Sequence, residues 1–131
     1  MANWYGAARS NYFLVKDRAA FNTWAKARNL EVLEEGPMVG IHPDGAEGWP
    51  SFYWDETEDD DVDFDIPKEL SELLVEGQVV VMLETGAEKL RYITGRAVAF
   101  DHTGKVVELS LSEIYDRAKQ EFGVEPTAAE Y

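Results

Sequence analysis

Residues 78–83 read Gln-Val-Val-Val-Met-Leu, and this run decides the fold. Its near-continuous apolar character predicts a central strand buried on both faces. Downstream, Thr85-Gly86 is read as a turn, and residues 90–100 as a long strand with Gly95 as a bulge or a point of close approach. Asp101-His102-Thr103-Gly104 forms a hairpin turn into a strand over 106–109. Ser110-Leu111-Ser112-Glu113 has the spacing of a capping box. The helix after it uses Leu111, Ile114, Tyr115, Ala118 and Phe122 and stops at Gly123. Upstream, Asp65 and Pro67 mark a helix start, Leu70, Leu73 and Leu74 its buried face, and Gly77 its end. Residues 51–54 are a short aromatic strand.

The N-terminal third follows the same logic. Residues 10–16 are predicted as the first strand. Asp17 offers an N-cap to a helix over 18–28, whose apolar face is Phe21, Trp24 and Ala25, and Asn29 is its stop. Residues 30–34 and 38–42 read as two strands around the turn Glu35-Gly36-Pro37, and residues 43–50 are loop. The order is β-α-β-β-α-β-β-β-α. Helices and strands do not alternate strictly, which predicts an α+β fold: an antiparallel sheet with helices on one face. The first six elements fit a ferredoxin-like, split β-α-β core, with a C-terminal hairpin and helix added. The expected core is Phe13, Val15, Trp24, Leu70, Leu74, Val79, Val81, Ile93, Val98, Ile114 and Phe122.

A chain of 131 residues, 45% apolar, fits one domain over 1–131, with a frayed tail over 124–131. It has no cysteine, which excludes a disulfide framework, a thiol nucleophile and a thiolate metal site. No leader and no run of membrane-spanning length is read, so a soluble, cytoplasmic protein is expected.

The formal charge is -14, and it is concentrated. Residues 1–54 carry a net -1, residues 55–87 a net -11 and residues 88–131 a net -2. Residues 55–65 read Asp-Glu-Thr-Glu-Asp-Asp-Asp-Val-Asp-Phe-Asp. The acids are Asp55, Glu56, Glu58, Asp59, Asp60, Asp61, Asp63 and Asp65, and no base interrupts them before Lys68. Packed like charges raise the energy of the compact state, so a cation, a basic partner or exposure to water has to offset them. This balance argues against binding nucleic acid or an anionic membrane through a basic patch.

As a cation site, Asp61, Asp63, Asp65 and Glu72 match positions 1, 3, 5 and 12 of a helix-loop-helix calcium loop. The match fails at position 6, where Ile66 replaces the glycine of the sharp turn, and at position 7, which is Pro67. No tight metal site and no cofactor is expected. As a partner surface, alternate residues of an extended chain point the same way about 6.6 Å apart. Asp59, Asp61, Asp63 and Asp65 then line one side, Glu58 and Asp60 the other, and Glu69, Glu72 and Glu76 extend the field along the following helix. Such a row can occupy a Lys/Arg groove built for phosphates and steer fast association. The plain alternative is a solvated loop that maintains solubility.

No catalytic set is found. His42 and His102 lie beside turns with no nucleophile or second base near either. No serine sits in an elbow motif, and no phosphate-loop spacing occurs. A non-enzymatic protein is expected. The aromatics Trp49, Phe52, Tyr53 and Trp54 read as core or loop anchors, or as the apolar centre of an interface with acids as its rim.

A small acidic domain with carboxylates concentrated over 55–76 resembles the DNA-mimic inhibitors of phages and plasmids, of the antirestriction and anti-CRISPR kinds. The resemblance is one of size and charge. It implies an inhibitor or adaptor that binds a basic nucleic-acid-handling protein and carries over no residue by position; the charge run itself puts the expected binding surface at Asp55, Glu56, Glu58, Asp59, Asp60, Asp61, Asp63, Asp65, Glu69, Glu72 and Glu76, with Trp54 beside it. Two other classes stay open. One is a small-molecule-binding or enzymatic domain with a cleft near Trp49, Tyr53, His42 and Arg91. The other is a structural subunit that associates through residues 49–54.

Overall fold

The computed structural model describes residues 4–45, 48–55 and 57–129, without the side chains of Trp4, Tyr5 and residues 52–55. The elements are β1 (Trp4–Ser10), α1 (Arg18–Ala27), β2 (Leu30–Glu35), β3 (Met38–Pro43), β4 (Phe52–Asp55), β5 (Asp60–Asp63), α2 (Ile66–Ser71), β6 (Val79–Glu88), β7 (Tyr92–Asp101), β8 (Val106–Ser110) and α3 (Glu113–Phe122). The main sheet has the order β1-β6-β7-β8, and β2–β3 and β4–β5 are separate two-stranded sheets. Every strand pairing is antiparallel. The fold is α+β.

Local chemistry explains the elements that match their sequence signals. The Asp17 side chain accepts a hydrogen bond from the Ala20 amide at 3.1 Å and so caps α1. Phe21 and Ala25 are buried on one side of α1, and Phe21 meets Phe13 edge-to-face at 5.9 Å. Asn29 ends the helix with φ 58, a left-handed conformation that asparagine tolerates. The 101–104 turn closes where the Asp101 carboxylate accepts from the Thr103 amide at 2.9 Å. One face of the main sheet, carrying Val80, Met82 and Phe100, packs with Phe13, Phe21, Val39, Ile41, Ile66, Leu70 and Leu74 in one core.

Four expectations are corrected. The first strand is Trp4–Ser10, not 10–16. At Asn11 the chain leaves the sheet. Its side-chain amide donates to the Val79 carbonyl at 3.1 Å and accepts from the Val81 amide at 2.8 Å, so it satisfies β6 where the strand would have continued. Phe13 then bridges to Val39, and Val15 to Leu74. Second, α2 ends at Ser71 rather than Gly77. The Leu73 carbonyl accepts from the Lys16 amide at 2.9 Å, and the Val75 amide donates to the Leu14 carbonyl at 3.1 Å, so this backbone is drawn into sheet-like pairing. Third, Thr85 and Gly86 lie within β6, opposite Ala7 and Gly6. The turn comes at residues 89–91, with Lys89 at φ 50. Fourth, the core is composed differently from the expected list, with Phe21, Ala25, Leu30, Val39, Ile41, Ile66, Val80, Met82 and Phe100 buried in it. Phe13, Leu70 and Leu74 are buried, Val15, Trp24 and Val98 pack against the core, and Val79, Ile93, Ile114 and Phe122 are exposed.

A split β-α-β pairing is not found among the described residues, because β2–β3 stands apart from the main sheet. No residue of α3 is buried. The chain beyond it folds back far enough for the Ala129 amide to donate to the Tyr115 hydroxyl at 2.7 Å.

Candidate partner-binding surface

The acidic run is a β-hairpin. β4 and β5 pair with Phe52 opposite Asp63, Tyr53 opposite Val62, Trp54 opposite Asp61 and Asp55 opposite Asp60. The Phe64 amide donates to the Ser51 carbonyl at 2.9 Å and extends the ladder. Asp59 closes the turn at φ 53, a conformation aspartate adopts more readily than most residues. The sequence signal covers only the first strand. Aspartate is disfavoured in strands, so β5 exists because β4 pairs with it. Two aspartates in direct register opposition also cost stability.

Asp59, Asp60, Asp61, Asp63 and Asp65 are exposed. Strand alternation puts Asp61 and Asp63 on one face of β5, with Asp60 and Val62 on the other. Asp65 is the N-cap residue of α2, but its side chain makes no capping hydrogen bond. These five aspartates take part in none of the ion pairs seen among the described residues, which join Arg18 to Glu34, Arg28 to Glu69, Arg96 to Glu108 and Lys119 to Glu125. Glu58 is exposed in the turn. Asp55 and Trp54 lie on β4 with side chains outside the described residues, and Glu56 lies outside them altogether.

The helical extension of the field is not a continuous face. Glu72 is the C-cap of the short α2, and Glu76 sits in the turn before β6, both exposed. Glu69 points inward. Its carboxylate accepts from the Trp24 indole at 2.9 Å and from the Arg28 guanidinium at 3.0 Å. Partial burial raises its pKa. The hydrogen bonds from Arg28 and Trp24, with the charges of Arg28 and Lys68, outweigh that and hold the carboxyl below its ordinary range. Glu69 therefore ties α2 to α1.

The calcium-loop spacing is laid out along a strand and a helix rather than around a point. Among the described residues no three His, Asp or Glu side chains are placed to hold a metal ion. His42 and His102 are far apart in role. The His42 ring shares a hydrogen bond with the Pro43 carbonyl at 2.9 Å, while His102 Nδ1 accepts from the Gly77 amide at 3.1 Å.

Next to the hairpin is a cavity of about 430 Å3, lined by Trp49, Phe64, Met82 and Val98 together with the polar residues Ser51, Asp65, Glu84, Arg96 and Glu108. The Trp49 indole donates to the Leu83 carbonyl at 3.2 Å. Gly48, at φ +92, leaves room for the Glu84 carboxylate, which occupies the space that a Cβ would take. Of the cleft expected from sequence, Trp49 lines this cavity, His42 and Arg91 do not, and the Tyr53 side chain lies outside the described residues. Glu84 and Arg96 carry no sequence signal, because only strand register brings them opposite one another.

Comparison with known proteins gives no matching family model, no matching curated protein and no matching solved structure. No helix among the described residues is long and apolar enough to cross a membrane.

Proposed function

We propose that this chain is a non-enzymatic inhibitor or adaptor that binds a basic, nucleic-acid-handling protein through the acidic hairpin, in the manner of a DNA mimic. The observation that carries the reading is a paired β-hairpin presenting Asp59, Asp60, Asp61 and Asp63 to solvent, with none of the four in an ion pair among the described residues. A hydrogen-bonded hairpin holds its charges at fixed spacing, unlike a loose tail. That lowers the ordering cost when a Lys/Arg groove closes on it. Exposed like charges also steer a basic partner towards the surface. Localisation in the cytoplasm fits a target of that kind.

The test is capture from a cell lysate on the immobilised protein at low and high salt. The expected result is one or a few basic nucleic-acid-binding proteins, retained at low salt, released at high salt and competed off by duplex DNA. Retention indifferent to both salt and DNA would contradict the reading.

The cavity beside Trp49 supports a second reading, a small-molecule-binding domain. Its lining of apolar side chains interspersed with polar groups is the usual character of a ligand site. Trp49 fluorescence that shifts saturably with a small-molecule extract, and is unaffected by neutralising the hairpin, would favour it over the first.

A further inference from the structure

The run Val79–Leu83 has the sequence of a strand buried on both faces, yet the described residues cover only one. Val80 and Met82 face the core, while Val79 and Leu83 are exposed. The uncovered face continues across the sheet. The register sets Val81, Ala99 and Val107 in one cross-strand row and Leu83, Ala97 and Leu109 in the next. Leu83 is 50% exposed, Val107 61% and Leu109 58%. The charged residues of this face, Arg9 beside Leu83 and Asp101 beside Val79, lie at its margins.

The second unpartnered surface is α3. Its apolar residues recur at helical spacing, yet Ile114 is 62% and Phe122 76% exposed. The two surfaces are continuous. Leu111 lies over Gly95 of β7, its Cδ1 2.8 Å from where a Cβ would be. Leu109, Leu111 and Ile114 line one open cleft, about 950 Å3, at the end of the sheet.

We propose that this sheet face and α3 form the interface of a symmetric homodimer, in which each copy covers the other. Three observations select a second copy as the occupant. First, the extent fits: Val79, Leu83, Ile93, Val107, Leu109, Leu111, Ile114 and Phe122 each keep about half of their surface or more exposed, which at roughly 100 Å2 apiece is the scale of the ~800 Å2 per partner in a stable interface and above the few hundred of the largest patch on most monomers. Second, the same chain supplies both halves of a stable layer, an open apolar sheet face and an unpacked amphipathic helix. A twofold axis satisfies both at once. Third, the charge allows it. Ser51 and Phe64, which flank the acidic hairpin, line a cavity with Met82 and Val98 on the opposite face of the sheet. Dimerisation therefore leaves two sheets between the acidic blocks, roughly 20 Å or more, beyond a screening length of about 8–10 Å.

Sedimentation equilibrium on the wild-type chain, on the double variant Val107→Glu/Leu109→Glu and on Phe122→Asp tests this. All three positions are more than half exposed, so the new charges stay solvated in the monomer, and far-UV circular dichroism checks the fold. The wild type should have twice the 14.8 kDa mass of the chain. Each variant should dissociate at least ~10-fold more readily, with unchanged secondary structure. The Asp59→Asn/Asp60→Asn/Asp61→Asn/Asp63→Asn variant should remain dimeric. A monomeric wild type up to its solubility limit would overturn the proposal, even if another protein proved to bind this face. So would folded variants that dimerise like the wild type, or loss of the dimer in the hairpin variant.

Discussion

Glu69 shows how one acid of an acidic segment serves the fold instead of the surface. Its carboxylate joins Trp24 and Arg28 of the α1 region to α2, and the Arg28 side chain is only 17% exposed. Glu69→Gln keeps the shape but removes the carboxylate charge that faces the Arg28 guanidinium. The expected cost is about 1–3 kcal/mol, at the lower end because Glu69 is partly solvated. The pH dependence follows from the direction of the shift. A carboxyl whose folded pKa is depressed adds stability above its unfolded pKa and loses it as pH falls through the folded value. The gap between wild type and Glu69→Gln should be full at neutral pH and should close below an ordinary glutamate pKa of about 4.3. Urea unfolding of both proteins at neutral and acid pH measures it. A gap equally large in acid would mean that packing, not charge, gives Glu69 its value.

At the scale of elements, the hairpin β4–β5 carries an internal opposition. Its register pairs Asp55 with Asp60 and leaves Asp61 and Asp63 side by side on one face. Replacing Asp59, Asp60, Asp61 and Asp63 with Asn relieves that repulsion, and Asn suits the left-handed position at 59. The variant should therefore melt higher than the wild type at low salt, with the difference shrinking as salt screens the charges. A lower melting temperature would mean that the carboxylates hold the hairpin in place.

The same scale shows what the sequence made legible. Asp17, the Phe21/Trp24/Ala25 face and Asn29 bound α1 with local chemistry, and the structure agrees. The β2–β3 hairpin was equally local. β5 was illegible because its residues disfavour strands and only its partner creates it. The end of α2 was illegible because Leu73 and Val75 bond to the distant 14–16 segment. Thr85-Gly86 reads as a turn by composition, but β1 binds it as strand. For the surface, the charge block was plain in sequence, whereas the inward turn of Glu69 depends on Arg28, some forty residues away. Exposure on the second face of β6 could not be read either, since periodicity tells which residues are apolar, not what covers them.

Across the whole molecule, the acidic and the apolar surfaces are segregated. The acidic hairpin flanks the core-facing side of the main sheet, and the open apolar face lies on the other, where Leu111 just before α3 covers Gly95 and Ile114 shares a cleft with Leu109. A dimer through the second surface would present two acidic hairpins outward, and two linked sites raise avidity when the target offers two grooves. The account rests on the hairpin being a docking surface and not merely a solvated one. The most direct measurement is the affinity of the wild type and the four-fold Asn variant for the captured basic protein, titrated across a salt series. Wild-type affinity should fall steeply with salt. The variant should bind more weakly by on the order of 1 kcal/mol per carboxylate removed, with a flatter salt dependence and an intact fold. An unchanged affinity in a folded variant would contradict the account and leave the hairpin a solubilising loop.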